Sequence, residues 1–220
     1  MNNPDINDMK TTDIFAHSIC EIEFPNYERI HEELVDHIKT HFDGQFSNEY
    51  DGHDHPIKNG AIKNIYDKFS KPIENPALLE LNNWIEEQGK KYWEVLNLSK
   101  FLEPYVMQLW VNAVPRGGFV ASHNHNPVPI SGVFYINAEP SMGNLYLENP
   151  MELVLGKSSY HTETRTPTRF TYEVQSKSGK LVFFPGWLKH HTKPNPTDEI
   201  RMSMAVNYGC SGQVNYTEFI

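Results

Sequence analysis

The stretch ASHNHNPVPISGVFYIN, residues 121–137, places two histidines one residue apart and follows them with an apolar run typical of a buried strand. Side chains alternate between the two faces of a β-strand, so His123 and His125 on a strand would point the same way. Two imidazoles on one face can bind a single metal ion. The stretch therefore predicts a metal site beside a buried strand.

The second half of the chain has the sequence pattern of a β-fold. From about residue 104 onward, short apolar runs alternate with Pro, Gly and Asn, a pattern typical of strands joined by turns. The runs are YVMQLWVNAV (105–114), GVFYIN (132–137), NLYLEN (144–149), RFTYEVQ (169–175), KLVFFPGW (180–187) and RMSMAVNY (201–208). Six such runs predict a mainly β core, an antiparallel sandwich or barrel, over residues 104–220.

The first half is predicted to be helical. Residues 27–42 and 75–98 each carry apolar side chains at helical spacing with charges between them. Asn75 is placed to cap the second helix and Pro76 suits its first turn. Residues 42–60, between the helices, are rich in Gly, Asp and Asn and predict a loop. We expect residues 1–103 to form a helical layer with loops, packed on the barrel of residues 104–220 in one integrated domain.

Charge and cysteine content restrict the partners and the compartment. The chain has 220 residues, 28 acidic and 19 basic, with a formal net charge of −9. A negative surface repels phosphate backbones, which disfavours duplex nucleic acid as a partner. Two cysteines, Cys20 and Cys210, make no disulfide framework and fit a reducing compartment. With no signal-peptide pattern and no apolar window of about 18 residues, we expect a cytoplasmic protein without a membrane segment.

A third histidine follows a later strand-like run, FFPGWLKHHTKP, residues 183–194. Two ligands from one segment and a third from a later strand can form a three-ligand face on a metal and leave positions open for substrate and oxygen. Neighbours on a strand face opposite ways, so only one of His190 and His191 is expected to join the site. Neutral imidazole suits Fe(II), Zn(II), Cu and Ni alike.

The last apolar run supplies an anion-binding pair. In RMSMAVNY, Arg201 and Ser203 alternate along the strand and so share a face. An arginine fork beside a hydroxyl suits a buried carboxylate, because the contact is bidentate and charge-assisted. Downstream of a candidate metal histidine, this pair indicates a metal-chelating co-substrate whose far carboxylate is clamped.

Together these motifs resemble the Fe(II)- and 2-oxoglutarate-dependent oxygenases, and more narrowly phage and bacterial members related to prolyl hydroxylases. The resemblance covers about residues 108–207 and is carried by NAVPRGGFVASHNHNP, SGVFYIN, FFPGWLKHHTKP and RMSMAVN. It implies a double-stranded β-helix, iron chelated by the 1-carboxylate and 2-oxo group of 2-oxoglutarate, and an arginine on the 5-carboxylate. The implied reaction oxidises a substrate with O2 and gives succinate and CO2. A phage-encoded member would work in the host cytoplasm.

Position by position, the resemblance assigns the site residues. The implied metal ligands are His123, His125 and His190. His190 is preferred to His191 because family members typically place this ligand three residues after the Trp. The implied 2-oxoglutarate residues are Arg201, Ser203 and Tyr135, with Asn112 as a weaker candidate.

One position departs from the family pattern. The usual metal-binding triad is His, carboxylate, His, and the carboxylate position here is His125. Three neutral ligands leave the iron site one charge more positive, which alters its reduction potential and its preference among anionic ligands. Glu148, in the segment LENP, is a candidate for the missing anion.

Two other interpretations stay open at this point. The segments GGFVASHNH and GKLVFFPGWLKH partly fit the two cupin patterns, which would make the chain a cupin-like three-histidine metalloenzyme. The glutamate expected after the first pattern is absent, however, and Trp187 stands where the second has Gly. A cupin also assigns no task to Arg201 and Ser203. The remaining alternative is a barrel that binds a ligand without turning it over.

The primary substrate is not identified by these motifs. Tyr105, Trp110 and Trp187 flank the predicted site and either line a substrate pocket or fill the barrel core. The polar segment 151–168 is long enough to fold over the open end of the barrel as a lid, which would bring Tyr160 and its neighbours above the substrate.

Overall fold

The computed structural model describes residues 17–41, 57–58, 60–68, 71–151 and 170–212. The described helices are α1 (Glu28–His41) and α2 (Pro76–Val95), with a 3-10 turn at Pro140–Met142. The strands are β1 (Cys20–Glu23), β2 (Ile57–Lys58), β3 (Ala61–Asp67), β4 (Leu102–Val114), β5 (Phe119–Val120), β6 (Ile130–Asn137), β7 (Leu145–Glu148), β8 (Thr171–Val174), β9 (Lys180–Pro185), β10 (His190–Thr192) and β11 (Arg201–Gly212).

The strands form one large and two small antiparallel sheets. The large sheet has six strands in the order β1-β9-β6-β11-β4-β3, so β11 lies inside it between β6 and β4. The second sheet has the order β10-β7-β8, and a two-stranded ribbon pairs β2 with β5. The mainly β architecture predicted for the second half of the chain is therefore confirmed.

The large sheet is buried on both faces. Along β9, Leu181 and Phe183 belong to a core shared with the helices, which we call the helix-side core. Val182 and Phe184, between them, belong to a second cluster with side chains of β7 and β8, which we call the inter-sheet core. Because each face of β9 packs against an apolar cluster, its sequence is a nearly continuous run of apolar residues.

The two helices cover one face of the large sheet. Leu34 of α1 and Leu81 of α2 are fully buried in the helix-side core. Asn75 caps α2 as predicted, its side chain accepting a 2.9 Å hydrogen bond from the Leu78 N–H, and Pro76 begins the helix. The helices and the large sheet therefore share one core, and their forming one integrated domain stays a prediction.

The first half also contributes strands that the sequence did not indicate. β1 and β3 are the two edge strands of the large sheet, and β2 lies within the stretch predicted to be loop. β1 has only four residues, and β3, AIKNIYD, is interrupted by polar side chains. Short or polar edge strands carry little periodic signal, and such features also protect a sheet edge from unwanted pairing.

Within the described residues, neither helix is long and apolar enough to cross a membrane.

A close contact between α2 and β11 gives a test of this packing. A Cβ at Gly89 would overlap the ring of Tyr208, which is fully buried and whose hydroxyl donates to the Ile85 carbonyl. Alanine is the better helix former by about 1 kcal/mol, but overpacking a core costs about 1–3 kcal/mol. We therefore expect Gly89→Ala to lower the free energy of unfolding in urea. The exposed Asn83→Ala on the same helix is the control and should change it by less than about 0.5 kcal/mol; equal stability of the two variants would contradict this packing.

Candidate metal centre

Three histidines from two segments of the chain meet at one point. Backbone hydrogen bonds join two of them: the His123 N–H donates to the His190 carbonyl at 3.1 Å, and the His190 N–H donates to the His123 carbonyl at 2.9 Å. The His125 N–H donates to the Gly186 carbonyl at 2.7 Å. One ring nitrogen from each histidine lies within 4.8 Å of the other two. This spacing allows all three to bind one metal ion.

The route to this cluster differs from the one predicted. His123 forms only an isolated bridge with His190, and His125 lies in an irregular segment before β6, so the H-x-H motif is not on a strand. The prediction that strand alternation aligns the two side chains is wrong. Pairing of the backbone with β10 and with Gly186 aligns them instead.

Hydrogen bonds from Nδ1 set the tautomers of the His123 and His190 rings. His123 Nδ1 lies 2.8 Å from the Ala121 carbonyl, and His190 Nδ1 lies 3.0 Å from the Leu188 carbonyl. A carbonyl only accepts, so each Nδ1 carries the proton and each Nε2 keeps its lone pair. Both rings therefore present the nitrogen that a metal needs.

Burial keeps the three rings neutral. It lowers the pKa of His123, lowers that of His125 to about 4 and lowers that of His190 to about 3. Desolvation disfavours the charged imidazolium, and the neighbouring histidines add to the effect at His125 and His190. At neutral pH the cluster is therefore already in the deprotonated form that binds metals.

His191 and Glu148 lie outside the cluster. His191 Nδ1 is 2.8 Å from a Glu148 carboxylate oxygen, and its ring stacks on Tyr146 with centroids 5.4 Å apart. His190, rather than His191, thus joins His123 and His125. Glu148 is engaged by His191, and among the described residues no carboxylate belongs to the metal-ligating cluster.

A cavity of about 430 Å³ opens next to the histidines, and the predicted co-substrate residues line it. Ser203 on β11 is in register with Asn112 on β4 and with Tyr135 on β6. Arg201 lies two residues earlier on β11, on the same face. The central strands of the large sheet therefore form one polar wall of the cavity, and Val133, Leu145 and Phe184 add apolar surface.

Arg201 is a buried positive charge with uncharged partners. Its side chain is 1% exposed, and it donates to the carbonyls of Met142 at 2.9 Å and Gly143 at 2.7 Å and to Thr192 Oγ1 at 2.8 Å. Burial lowers its pKa, but an arginine stays protonated in proteins. No described carboxylate pairs with it. A buried charge without a counter-charge is costly, so the cavity is suited to an anion.

Gly143 makes room for this guanidinium. Its φ is +94°, and a Cβ there would lie 2.8 Å from Arg201 Nη1 and 2.7 Å from the Lys193 carbonyl. Glycine adopts positive φ without the steric cost that other residues have. The turn after the 3-10 helix can therefore close around Arg201 only with glycine at this position.

Thr192 lines the same cavity and was not singled out by the sequence. Its Oγ1 accepts hydrogen bonds from the Val120 N–H at 2.9 Å and from Arg201, which leaves its own proton free to donate into the cavity. Its only sequence signal is the two-residue spacing from His190, which places both on one face of β10.

Two other predicted polar groups fit a bound ligand. The Asn112 side-chain oxygen is buried without a hydrogen-bond partner and lines the cavity, so the amide is available to a ligand. Burial raises the pKa of Tyr135, so its hydroxyl stays protonated and can donate to an anion.

Of the aromatic residues predicted to flank the site and described in the structure, one lines the cavity and two do not. Trp110 lines the cavity, with its ring centroid 5.6 Å from that of His125. The described lining does not include Tyr105, which lies under Lys68 Nζ at 3.5 Å, or Trp187, which packs on the inter-sheet core. Tyr160 and the predicted lid beyond Met151 lie outside the described residues.

Comparisons with known proteins agree with this geometry. Residues 108–207 match the family described as "Putative 2OG-Fe(II) oxygenase". No curated protein matches the sequence of the chain. The fold is similar to that of a Pseudomonas putida prolyl-4-hydroxylase, at 15% identity and a TM-score of 0.61, covering 89% of this chain and 94% of that one.

Two further solved structures share the fold. A prolyl hydroxylase from Trichoplax adhaerens, in complex with a hypoxia inducible factor peptide fragment, matches at 14% identity and a TM-score of 0.58, covering 86% of this chain and 82% of that one. HygX from Streptomyces hygroscopicus, with nickel and 2-oxoglutarate bound, matches at 11% identity and a TM-score of 0.55, covering 88% and 83%.

The structural likenesses confirm the predicted double-stranded β-helix. At such low identities they show the fold alone, and the likeness to a family comes from the sequence match over residues 108–207. That match runs from β4 to β11 and includes all three clustered histidines and Arg201. Over this segment, the chain is similar to the 2-oxoglutarate- and Fe(II)-dependent oxygenases.

Proposed function

We propose that the chain binds Fe(II) through His123, His125 and His190 and holds 2-oxoglutarate against Arg201, in order to oxidise a further substrate with O2. The observation that carries this assignment is the buried Arg201, which has only uncharged partners in the cavity that the three histidines line. A dicarboxylate that chelates the metal at one end and meets Arg201 at the other satisfies both groups.

The polar wall of the cavity orients the co-substrate. Arg201 has five N–H groups and three of them have protein partners, so two are left for a carboxylate. The hydroxyls of Thr192, Ser203 and Tyr135 line the same cavity and can donate to the distal carboxylate. Several donors in fixed positions bind one ligand orientation at low entropic cost.

The apolar part of the cavity lining would keep water away from the reacting groups. Bound Fe(II) supplies O2 activation coupled to decarboxylation of 2-oxoglutarate to succinate and CO2. Val133, Leu145 and Phe184 give the cavity an apolar side that excludes water from the reacting groups. Trp110, which lines the cavity beside His125, is the side chain that we propose contacts the primary substrate.

The cupin-like and non-catalytic alternatives receive no support from a specific contact. Neither alternative gives a reason for a buried arginine in the lining of the cavity, and the sequence match is to the oxygenase family.

The two cysteines, Cys20 and Cys210, are both free, which supports the cytoplasmic location proposed from the sequence.

Removal of one histidine tests the metal assignment. His190→Ala should lower Mn(II) affinity, measured by calorimetry with 2-oxoglutarate present, by at least about 100-fold, because loss of supporting groups alone costs 10–100-fold. His191→Gln is the matched control, since His191 pairs with Glu148 outside the cluster, and it should bind Mn(II) like the unaltered chain. The reverse order of effects would assign the ligand to His191.

Removal of the buried arginine tests the co-substrate assignment. Arg201→Ala should weaken 2-oxoglutarate binding by about 100-fold or more, because breaking a buried ion pair costs about 3–5 kcal/mol. Affinity for 2-oxopentanoate, which lacks the distal carboxylate, should change little. Arg116→Ala, which removes an exposed pair with Asp198, is the control. Equal losses for both oxo acids would mean general damage to the cavity and contradict a specific carboxylate contact.

The buried histidines also predict how the metal-free protein responds to pH. Their folded-state pKa values lie below the unfolded value of about 6.5, so the unfolded chain binds more protons and stability falls as the pH drops below about 6.5 toward 4. His125→Asn removes one such group. With a chelator present, its urea midpoint should fall less between pH 7 and pH 4.5 than that of the unaltered chain. Parallel falls would show that His125 is not held neutral by burial.

A further inference from the structure

The balance of charge in the cavity is unusual for a metal-binding oxygenase site. Among the described lining residues, Arg201 is the permanent charge, the three histidines are neutral when they bind a metal, and no carboxylate is present. With a divalent ion bound, the lining would hold about three positive charges and no anion. A triad with a carboxylate would hold one fewer. Glu148, which contacts His191 outside the lining, acts electrostatically on His123.

The missing negative charge matters because the site is largely shielded from water. Arg201 and His190 are 1% and 6% exposed, while His123 and His125 are partly exposed, so water screens the charge of Arg201 poorly and that of a bound metal only in part. Metal binding alone therefore places a dication in the same cavity as an uncompensated guanidinium. 2-Oxoglutarate brings two negative charges, one to each of these positions.

We propose that His125 makes the binding of metal and of 2-oxoglutarate strongly interdependent in this chain. Each ligand raises the affinity for the other by the same factor, as thermodynamic linkage requires. Any chelating co-substrate couples to its metal, but an aspartate at position 125 would neutralise part of the metal charge beforehand and weaken that coupling. This inference rests on the proposed function.

The structure makes position 125 suitable for the test. The rings of His123 and His190 hydrogen-bond to carbonyls, whereas the ring of His125 has no described hydrogen bond and packs on Trp110. Its replacement therefore leaves no described polar partner unsatisfied. Aspartate and asparagine have nearly the same shape, so His125→Asp and His125→Asn separate charge from size.

The experiment is calorimetric titration of Mn(II) into the full chain, stripped of metal, with and without saturating 2-oxoglutarate. In the unaltered chain we expect 2-oxoglutarate to raise Mn(II) affinity at least about tenfold. His125→Asp should bind Mn(II) more tightly than His125→Asn without 2-oxoglutarate, and its coupling factor should be at least about fivefold smaller than that of the unaltered chain. His125→Asn should keep strong coupling.

The outcomes separate the two proposals. A coupling factor in His125→Asp that equals or exceeds that of the unaltered chain overturns the inference and leaves the proposed function intact. Failure of the unaltered chain to bind 2-oxoglutarate, with Mn(II) bound, overturns the proposed function and the inference with it. Circular dichroism and thermal melting identify a variant that does not fold. In that case His125→Glu and His125→Gln form a second pair with the same charges, to which the same outcomes apply.

Discussion

The alternation of side chains along β11 is the constraint on which the rest of the structure depends. Met202, Met204 and Val206 enter the helix-side core, while Arg201, Ser203 and Ala205 face the cavity. A slip of one residue would exchange the two sets, placing a guanidinium among the helices and methionines in the site. Buried polar contacts such as Ser131 Oγ to Asn207 Oδ1, at 2.8 Å, oppose such a slip because they exist in one register only.

The metal cluster is built differently, from backbone pairing rather than from regular strand geometry. β10 has three residues and β5 has two, yet each lies close to a ligand. Thr192 Oγ1 joins them, since it accepts from the Val120 N–H and from Arg201 at once. One oxygen atom therefore connects the segment that leads to His123, the strand that carries His190, and the buried Arg201.

Local periodicity explains what the sequence could and could not predict. It placed both helices, six of the strands of residues 104–220, and the shared face of Arg201 and Ser203, because each depends on neighbours along the chain. The short strands β5 and β10 were not among the predicted runs. It also selected His190, though from the family resemblance. Gly143 and Thr192 were missed because their roles arise from contacts with Arg201, from which they are 58 and 9 residues distant along the chain. The irregular backbone at His125 was missed because a two-residue spacing looks the same on a strand and in a turn.

The burial of Arg201 also bears on the lifetime of the protein. A ligand that binds only the folded state stabilises it, by about 2.7 kcal/mol when present at a hundredfold excess over its dissociation constant. An anion on Arg201 relieves an uncompensated charge that the empty fold must otherwise tolerate. If the cavity takes up such an anion, resistance to proteolysis should rise and fall with its occupancy. The residue proposed to hold the co-substrate would then also link the stability of the fold to the supply of that co-substrate.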